Sequence, residues 1–458
     1  MIAMATIDRD HLRALHQLEE ERFVELHPRS AVRAEHARTN LVAGVPMAWM
    51  TRLPGAFPVF FDTARGAEVT DVDGLGYIDF CLGDTGAMTG HGLVPLADAL
   101  SAQARRGITT MLPNDDAAWV GAELARRFGL PRWQMAMTAT DANRFVLRFA
   151  RHLTGRPKVL VFDWCYHGTV DEALATLDDD GNVVRRAGNI GPAFDPATTT
   201  KVVQFNDLAA LEAALADRSV AAVLMEPALT NIGIVLPEPG FLDGVRAACD
   251  RTGTLLVIDE THTICVGPGG ATAAWGLRPD LFVIGKTIGG GMPVAAYGMT
   301  EAVADQLQPA LVDHDVDVSG IGGTLTGNAL AIAAVRTVLS STLRDEDYAR
   351  MIPLAESWTQ GVAATIAEHD LPWHVQRLGC RAEYWFCEPP RNGRDAAAAV
   401  DHELDAFMHL YAMNRGVLLT PFHNMALMSP FHTQAHVDRH TELFASAVGE
   451  LVGAKIPA

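Results

Sequence analysis

Lys286 stands in the run Leu-Phe-Val-Ile-Gly-Lys-Thr-Ile-Gly-Gly-Gly-Met-Pro (281 to 293), 27 residues after Asp259, which closes the apolar run Leu-Leu-Val-Ile (255 to 258). Two buried strands are expected there, one closing on a carboxylate and the next on a lone lysine with glycines behind it. Open α/β sheets collect their ligands at the carboxyl ends of such strands. An amine able to form a Schiff base and a carboxylate able to keep a ring nitrogen protonated are the two groups that let pyridoxal phosphate (PLP) act as an electron sink. Taken alone, a lysine after a strand reads as a solvated surface residue. What surrounds this one points to the cofactor.

Further motifs follow in order: Asp-Val-Asp-Gly-Leu-Gly-Tyr-Ile-Asp (71 to 79), Gly90-His91, Thr-Ala-Thr-Asp-Ala-Asn (138 to 143), Tyr-His-Gly (166 to 168), and Glu226-Pro227 with Asn231. After these come Asp259-Glu260, Gly285-Lys286 with Gly289 to Met292, and Gly323-Thr324 through Gly327-Asn328. In order and spacing the chain resembles the class III (fold type I) PLP-dependent aminotransferases, in the branch nearest glutamate-1-semialdehyde aminomutase. The resemblance spans most of the chain. One such motif is weak, but the whole series in register is specific.

The resemblance implies roles. Lys286 would be the Schiff-base lysine and proton shuttle, and Asp259 the partner of the ring nitrogen. Thr138, Ala139 and Thr140 lie between a strand and a helix expected to begin near Asp141, and a helix N-terminus offers N–H groups to a phosphate. The family usually has Ser-Gly-Thr-Glu at this turn, so the departure narrows the cup while keeping a hydroxyl. An ordinary helix cap is the plain alternative. Tyr166 would stack on the pyridine ring, with His167 and Gly168 completing the turn, and Glu226 belongs to the same cofactor set. Thr261 takes the place of a common Val on the other ring face. His262 stands where relatives often carry Gln or Met; it either reaches the phenolic oxygen of PLP or is a satisfied neighbour. Thr324 would cross to the partner's phosphate in a homodimer with shared sites.

For the substrate, the glutamate-1-semialdehyde enzymes hold a carboxylate with an arginine near the N-terminus. Here the stretch 44 to 55 places Trp49 about there, which removes a charge-assisted contact. Trp49, Met50, Met88, Phe422 and His423 suggest an apolar, adaptable lining, or simply core. Arg381 would contact a carboxylate, or else pair with Glu383 or another acid at the surface. The expectation is an aminotransferase passing an amino group between an amine or non-α amino acid and a keto acid such as pyruvate, with ping-pong kinetics. An aminomutase working on a single amino-carbonyl substrate is the alternative, and a non-catalytic PLP-binding protein a more distant one.

The elements that must hold these residues follow from patterning. At 458 residues and 49% apolar composition the chain can build more than one core. Strand candidates at 134 to 137, 158 to 162, 201 to 203, 220 to 225, 254 to 258 and 281 to 284 alternate with helices. That argues for an α/β fold with a mainly parallel, doubly wound sheet and a smaller α+β domain. Residues 1 to 85 read as an N-terminal helix and small-domain strands (59 to 61, 68 to 71, 76 to 80), 86 to 340 as the large PLP-binding domain, and 341 to 458 as a C-terminal α+β domain with strands at 382 to 386 and 417 to 420. A net charge of −19 argues against nucleic acid or anionic lipid as partner. No apolar run suits a membrane span and the start lacks a signal pattern, so a cytoplasmic enzyme is expected. The six cysteines show no zinc spacing and read as reduced thiols.

Overall fold

The computed structural model describes residues 7–312 and 320–453. The chain divides into two compact units, one of Met1–Leu93, Glu346–Pro389 and Ala399–Ala458, the other of Val94–Asp345 and Pro390–Ala398. Segment 390–398 joins the larger unit because Arg391 pairs with Glu238 at 2.5 Å and Arg394 donates to the carbonyls of Leu177 and Asp178.

The larger unit is built on seven strands: β1 Arg132–Ala136, β2 Lys158–Phe162, β3 Thr200–Val203, β4 Val220–Met225, β5 Leu255–Asp259, β6 Leu281–Ile284 and β7 Ala295–Met299. Their order across the sheet is β1-β7-β6-β5-β4-β2-β3. Strands β6, β5, β4, β2 and β3 pair in parallel, while β7 runs antiparallel to both β6 and β1. All six residues of β4 and all four of β6 are buried, as expected for parallel strands covered on both faces, where continuous apolar runs replace alternation. Strand β7, Ala-Ala-Tyr-Gly-Met, lacks that signature and was not anticipated. Pairing on both sides holds it, and Gly298 leaves room for the Trp133 ring, 2.7 Å from where a β-carbon would stand.

Parallel pairing sets Asp259 opposite Val283, three residues before Lys286. Both chemical groups therefore emerge at the same edge of the sheet. The helix Ala139–Thr154 follows β1, buries Ala142, Asn143, Phe145, Val146 and Phe149, and ends on Gly155 in the left-handed conformation. It starts two residues earlier than expected because Thr138 caps it, accepting from the Asp141 N–H at 3.1 Å.

In the smaller unit, Phe61–Arg65, Glu68–Asp71, Gly76–Asp79 and Val417–Leu418 form one sheet and His374–Leu378, Arg381–Trp385 and Met425–Leu427 another. The strand expected at 59 to 61 thus begins where that range ends, and the one expected at 417 to 420 is only two residues long. The N-terminal helix Arg9–Leu26 lies against His402–Met413 of the same unit, tied by Arg13 to Glu403 and by Arg415 to Glu19. No described helix is long and apolar enough to cross a membrane.

Candidate active site

Asp259 is 3% exposed at the end of β5, and both of its oxygens are occupied. Oδ2 accepts from Asn143 Nδ2 at 2.9 Å and lies 3.0 Å from His167 Nδ1; Oδ1 accepts from the Thr261 hydroxyl at 2.6 Å and the Thr261 N–H at 3.1 Å. Burial alone would raise its pKa, but the hydrogen bonds and charge of His167, with those of Thr261 and Asn143, hold it down to about 2. His167 shows the reverse balance. Burial works against its imidazolium, while Cys165 and Asp259 raise its pKa to about 10. A carboxylate kept ionised by its neighbours, buried and fixed in orientation, is what a protonated ring nitrogen requires.

Lys286, half-buried just past β6, has its Nζ 2.8 Å from His262 Nε2. Its backbone φ of 50° is left-handed, a conformation that a non-glycine residue adopts only when its surroundings impose it. Gly285 permits the approach: a β-carbon there would lie 3.0 Å from that of Ala139. The end of β6 is thereby seated against the first turn of the helix Ala139–Thr154.

The same turn engages the segment after β2. Thr140 Oγ1 accepts from the Thr169 N–H at 3.1 Å, and Asn143 Nδ2 also donates to the His167 carbonyl at 3.1 Å. Gly168 has a φ of 76°, and any β-carbon on it would collide with the Thr140 hydroxyl. Tyr166, between these anchors, is 38% exposed, whereas His167 is buried. Glu226, just past β4, is buried and accepts from the Thr230 hydroxyl.

In the larger unit Lys286 thus meets His262 and Asp259 meets Thr261 and His167, while Thr140 and Ala139 seat Gly168 and Gly285. Sequence reasoning quoted Asn143 without giving it a role. The signal available was its place one helical turn inside the cap, on the buried face. Thr261, expected to pack on a ring, also hydrogen-bonds Asp259. Thr324 lies in an exposed turn closed by the bond from the Thr326 N–H to the Gly323 carbonyl. The remaining predicted residues lie in the smaller unit. Trp49 and Met50 sit half-buried on the 3-10 turn Ala48–Arg52, Met88 is fully buried, and Phe422 is 52% exposed.

Arg381 and His423 converge on one carboxylate. The guanidinium is buried, not at the surface, and sits 3.1 Å from Glu383, whose other oxygen lies 2.9 Å from His423 Nδ1. Burial opposes ionisation of Glu383, but His423 and Arg381 together keep its pKa below the ordinary value. An isolated carboxylate could not be buried so deeply, and this pairing gives both side chains an internal partner.

The family model for class III aminotransferases matches residues 50–448. The chain belongs to the class III aminotransferases. It is an enzyme of this PLP-dependent family, with the fold type I architecture and PLP as its cofactor. Among solved structures it resembles a glutamate-1-semialdehyde-aminomutase from Pseudomonas aeruginosa PAO1 at 49% identity, covering 97% of this chain and 99% of that one, with a TM-score of 0.96. A Lys→Ala variant of that protein, in complex with PMP, matches with a TM-score of 0.95. A glutamate-1-semialdehyde 2,1-aminomutase of Symbiobacterium thermophilum is 32% identical over 93% of this chain and 98% of its own length. An omega-transaminase from Sphaerobacter thermophilus is more distant, at 26% identity over 93% of this chain and 98% of that one, with a TM-score of 0.84. The expectation of a pyruvate-dependent aminotransferase is therefore overturned. Among class III enzymes the chain is far more similar to aminomutases, and the apolar lining inferred around Trp49 did not outweigh a likeness spread along the whole sequence.

Proposed function

We propose that this class III enzyme moves an amino group between neighbouring carbons of a single amino-carbonyl substrate of the glutamate-1-semialdehyde type. The observation that carries this reading is the 49% identity over nearly the full length to a protein named as such an aminomutase, against 26% for the omega-transaminase. The reaction balances within one molecule, since amino and carbonyl groups exchange places and no external acceptor is needed.

PLP, when bound, supplies the electron sink that makes a carbon–hydrogen bond next to nitrogen acidic. In this reading Asp259 holds the ring nitrogen's proton, and His167, Asn143 and Thr261 keep that carboxylate ionised and oriented. Lys286 would anchor the cofactor and, once released by the substrate amine, would take a proton from the nitrogen-bearing substrate carbon as base and then give it up as acid. The first turn of the helix Ala139–Thr154, with Thr138 and Thr140, receives the phosphate on unpaired N–H groups and the positive end of the dipole. Tyr166 covers a ring face and Glu226 buttresses the same sheet edge. Trp49, Met50, Met88 and Phe422 belong to the substrate side, and Trp49 leaves recognition of a carboxylate to another group. Thr324 serves the neighbouring subunit of a homodimer. We assign the enzyme to the cytoplasm, where its thiols stay reduced.

Incubation with glutamate-1-semialdehyde and pyruvate together tests this reading. The isomerised amino ketone should form at the same rate with or without pyruvate, and no alanine should appear. Alanine formed in step with substrate loss would refute it.

A further inference from the structure

We propose that His262 is the positioning residue for Lys286, its imidazole Nε2 accepting a hydrogen bond from Nζ and fixing where the amine stands whenever it is not bonded to the cofactor. The inference rests on the reading of Lys286 as the cofactor's lysine.

Lysine carries its nitrogen on a flexible four-carbon stem, so an unheld Nζ samples many positions around its backbone. A reacting amine benefits from being held in one of them. Here Nζ and Nε2 are 2.8 Å apart. Nζ carries N–H donors whatever its charge, so an imidazole whose Nε2 is unprotonated can accept from it.

The chain on either side of His262 is tied to a buried carboxylate. Before it, Thr261 donates its N–H and hydroxyl to Asp259. After it, Thr263 donates its hydroxyl at 2.6 Å to Glu260, which also accepts from the Thr272 hydroxyl at 2.5 Å and the Ala271 N–H at 3.1 Å. Glu260 is fully buried, and Gly270 packs so closely that a β-carbon there would strike the carboxylate. The imidazole therefore projects from a backbone that has little freedom to move. Lys286 is fixed from its own side by the left-handed φ and by the seat of Gly285 against Ala139. Two short, rigid strand ends thus present a donor and an acceptor to each other, and neither has to reorganise to make the bond.

The test is the rate at which full-length apoprotein captures added PLP, followed by the visible absorbance of the lysine-bound cofactor, so that no turnover is needed. Loss of the bond that holds the amine in place should slow capture by about tenfold in His262→Leu. His262→Gln keeps an acceptor at similar reach and should recover to within about threefold of wild type. Circular dichroism should be the same for all three. If the leucine variant does not fold, His262→Phe, which keeps a flat ring without an acceptor, must be the slow one. Capture at the wild-type rate in a folded variant without an acceptor, or a glutamine variant as slow as leucine, overturns the inference. Lys286→Ala separates the two levels. If it develops the same band, the assignment of Lys286 has failed; if it develops none while His262→Leu captures normally, only the role of His262 has failed.

Discussion

Asp259 carries the electrostatics of the site, and its behaviour follows from four donors converging on two buried oxygens. Asp259→Asn keeps the shape but sets an NH2 against two of those four donors and no longer holds a ring proton. It should bind PLP and lose turnover by a factor of about 100 or more, a typical size for removing a proton-controlling group. Wild-type turnover in that variant would remove Asp259 from the mechanism. The pair it makes with His167 also predicts a pH dependence of stability. For Asp259, lowered from 3.8 to about 2, the contribution is present above 3.8 and lost as pH falls through about 2. For His167, raised from 6.5 to about 10, it is complete below 6.5 and lost as pH rises through about 10. The gap in urea midpoint between wild type and His167→Gln should therefore narrow from pH 6 to pH 10. A gap that stays constant would mean that the imidazole is buried without its charge. Of these residues, Lys286 and Asp259 were legible in sequence because each closes an apolar run. The link from His262 to Lys286 was not, since it depends on a left-handed φ at Lys286 that no residue type announces.

Among the elements, the first turn of the helix Ala139–Thr154 and the turn at Gly168 must interlock for the site to exist. Gly168→Ala would force a β-carbon into Thr140 and impose a left-handed φ on an L residue. We expect a loss of about 1–3 kcal/mol in stability and PLP affinity weakened by about tenfold or more. Thermal unfolding and cofactor titration check this, and an unchanged titration would show that the turn does not shape the phosphate cup. The strands Lys158–Phe162, Val220–Met225 and Leu281–Ile284 were read to the residue, because parallel strands covered on both faces leave apolar runs, interrupted here only by the half-buried Lys158. Ala295–Met299 escaped because alanine and glycine have poor strand propensity and only tertiary pairing makes the strand. Met425–Leu427 was not expected as a strand, because its pairing with Arg381–Trp385 depends on residues about 40 positions away. For Arg381 the sequence left open a ligand carboxylate or a surface pair with an acid such as Glu383, two positions along the same strand. Their spacing shows a shared face but not that the face is buried.

For the molecule as a whole, the family was legible from motifs in register, while the reaction was not. One substituted position near the N-terminus was given more weight than similarity distributed over the entire chain. The homodimer proposed above rests on Thr324, which lies in an exposed turn. Sedimentation should give twice the chain mass, and Thr324→Ala should lower PLP retention with the dimer intact. A fully active monomer would end that assignment. The central claim, an amino shift within one molecule, is tested most directly by giving the purified enzyme glutamate-1-semialdehyde as the only organic substrate and following products by NMR. The account predicts many turnovers per active site to the isomer with the amino group moved to the adjacent carbon. Conversion that stops at one equivalent per site, and resumes only when a keto acid is added, would contradict it.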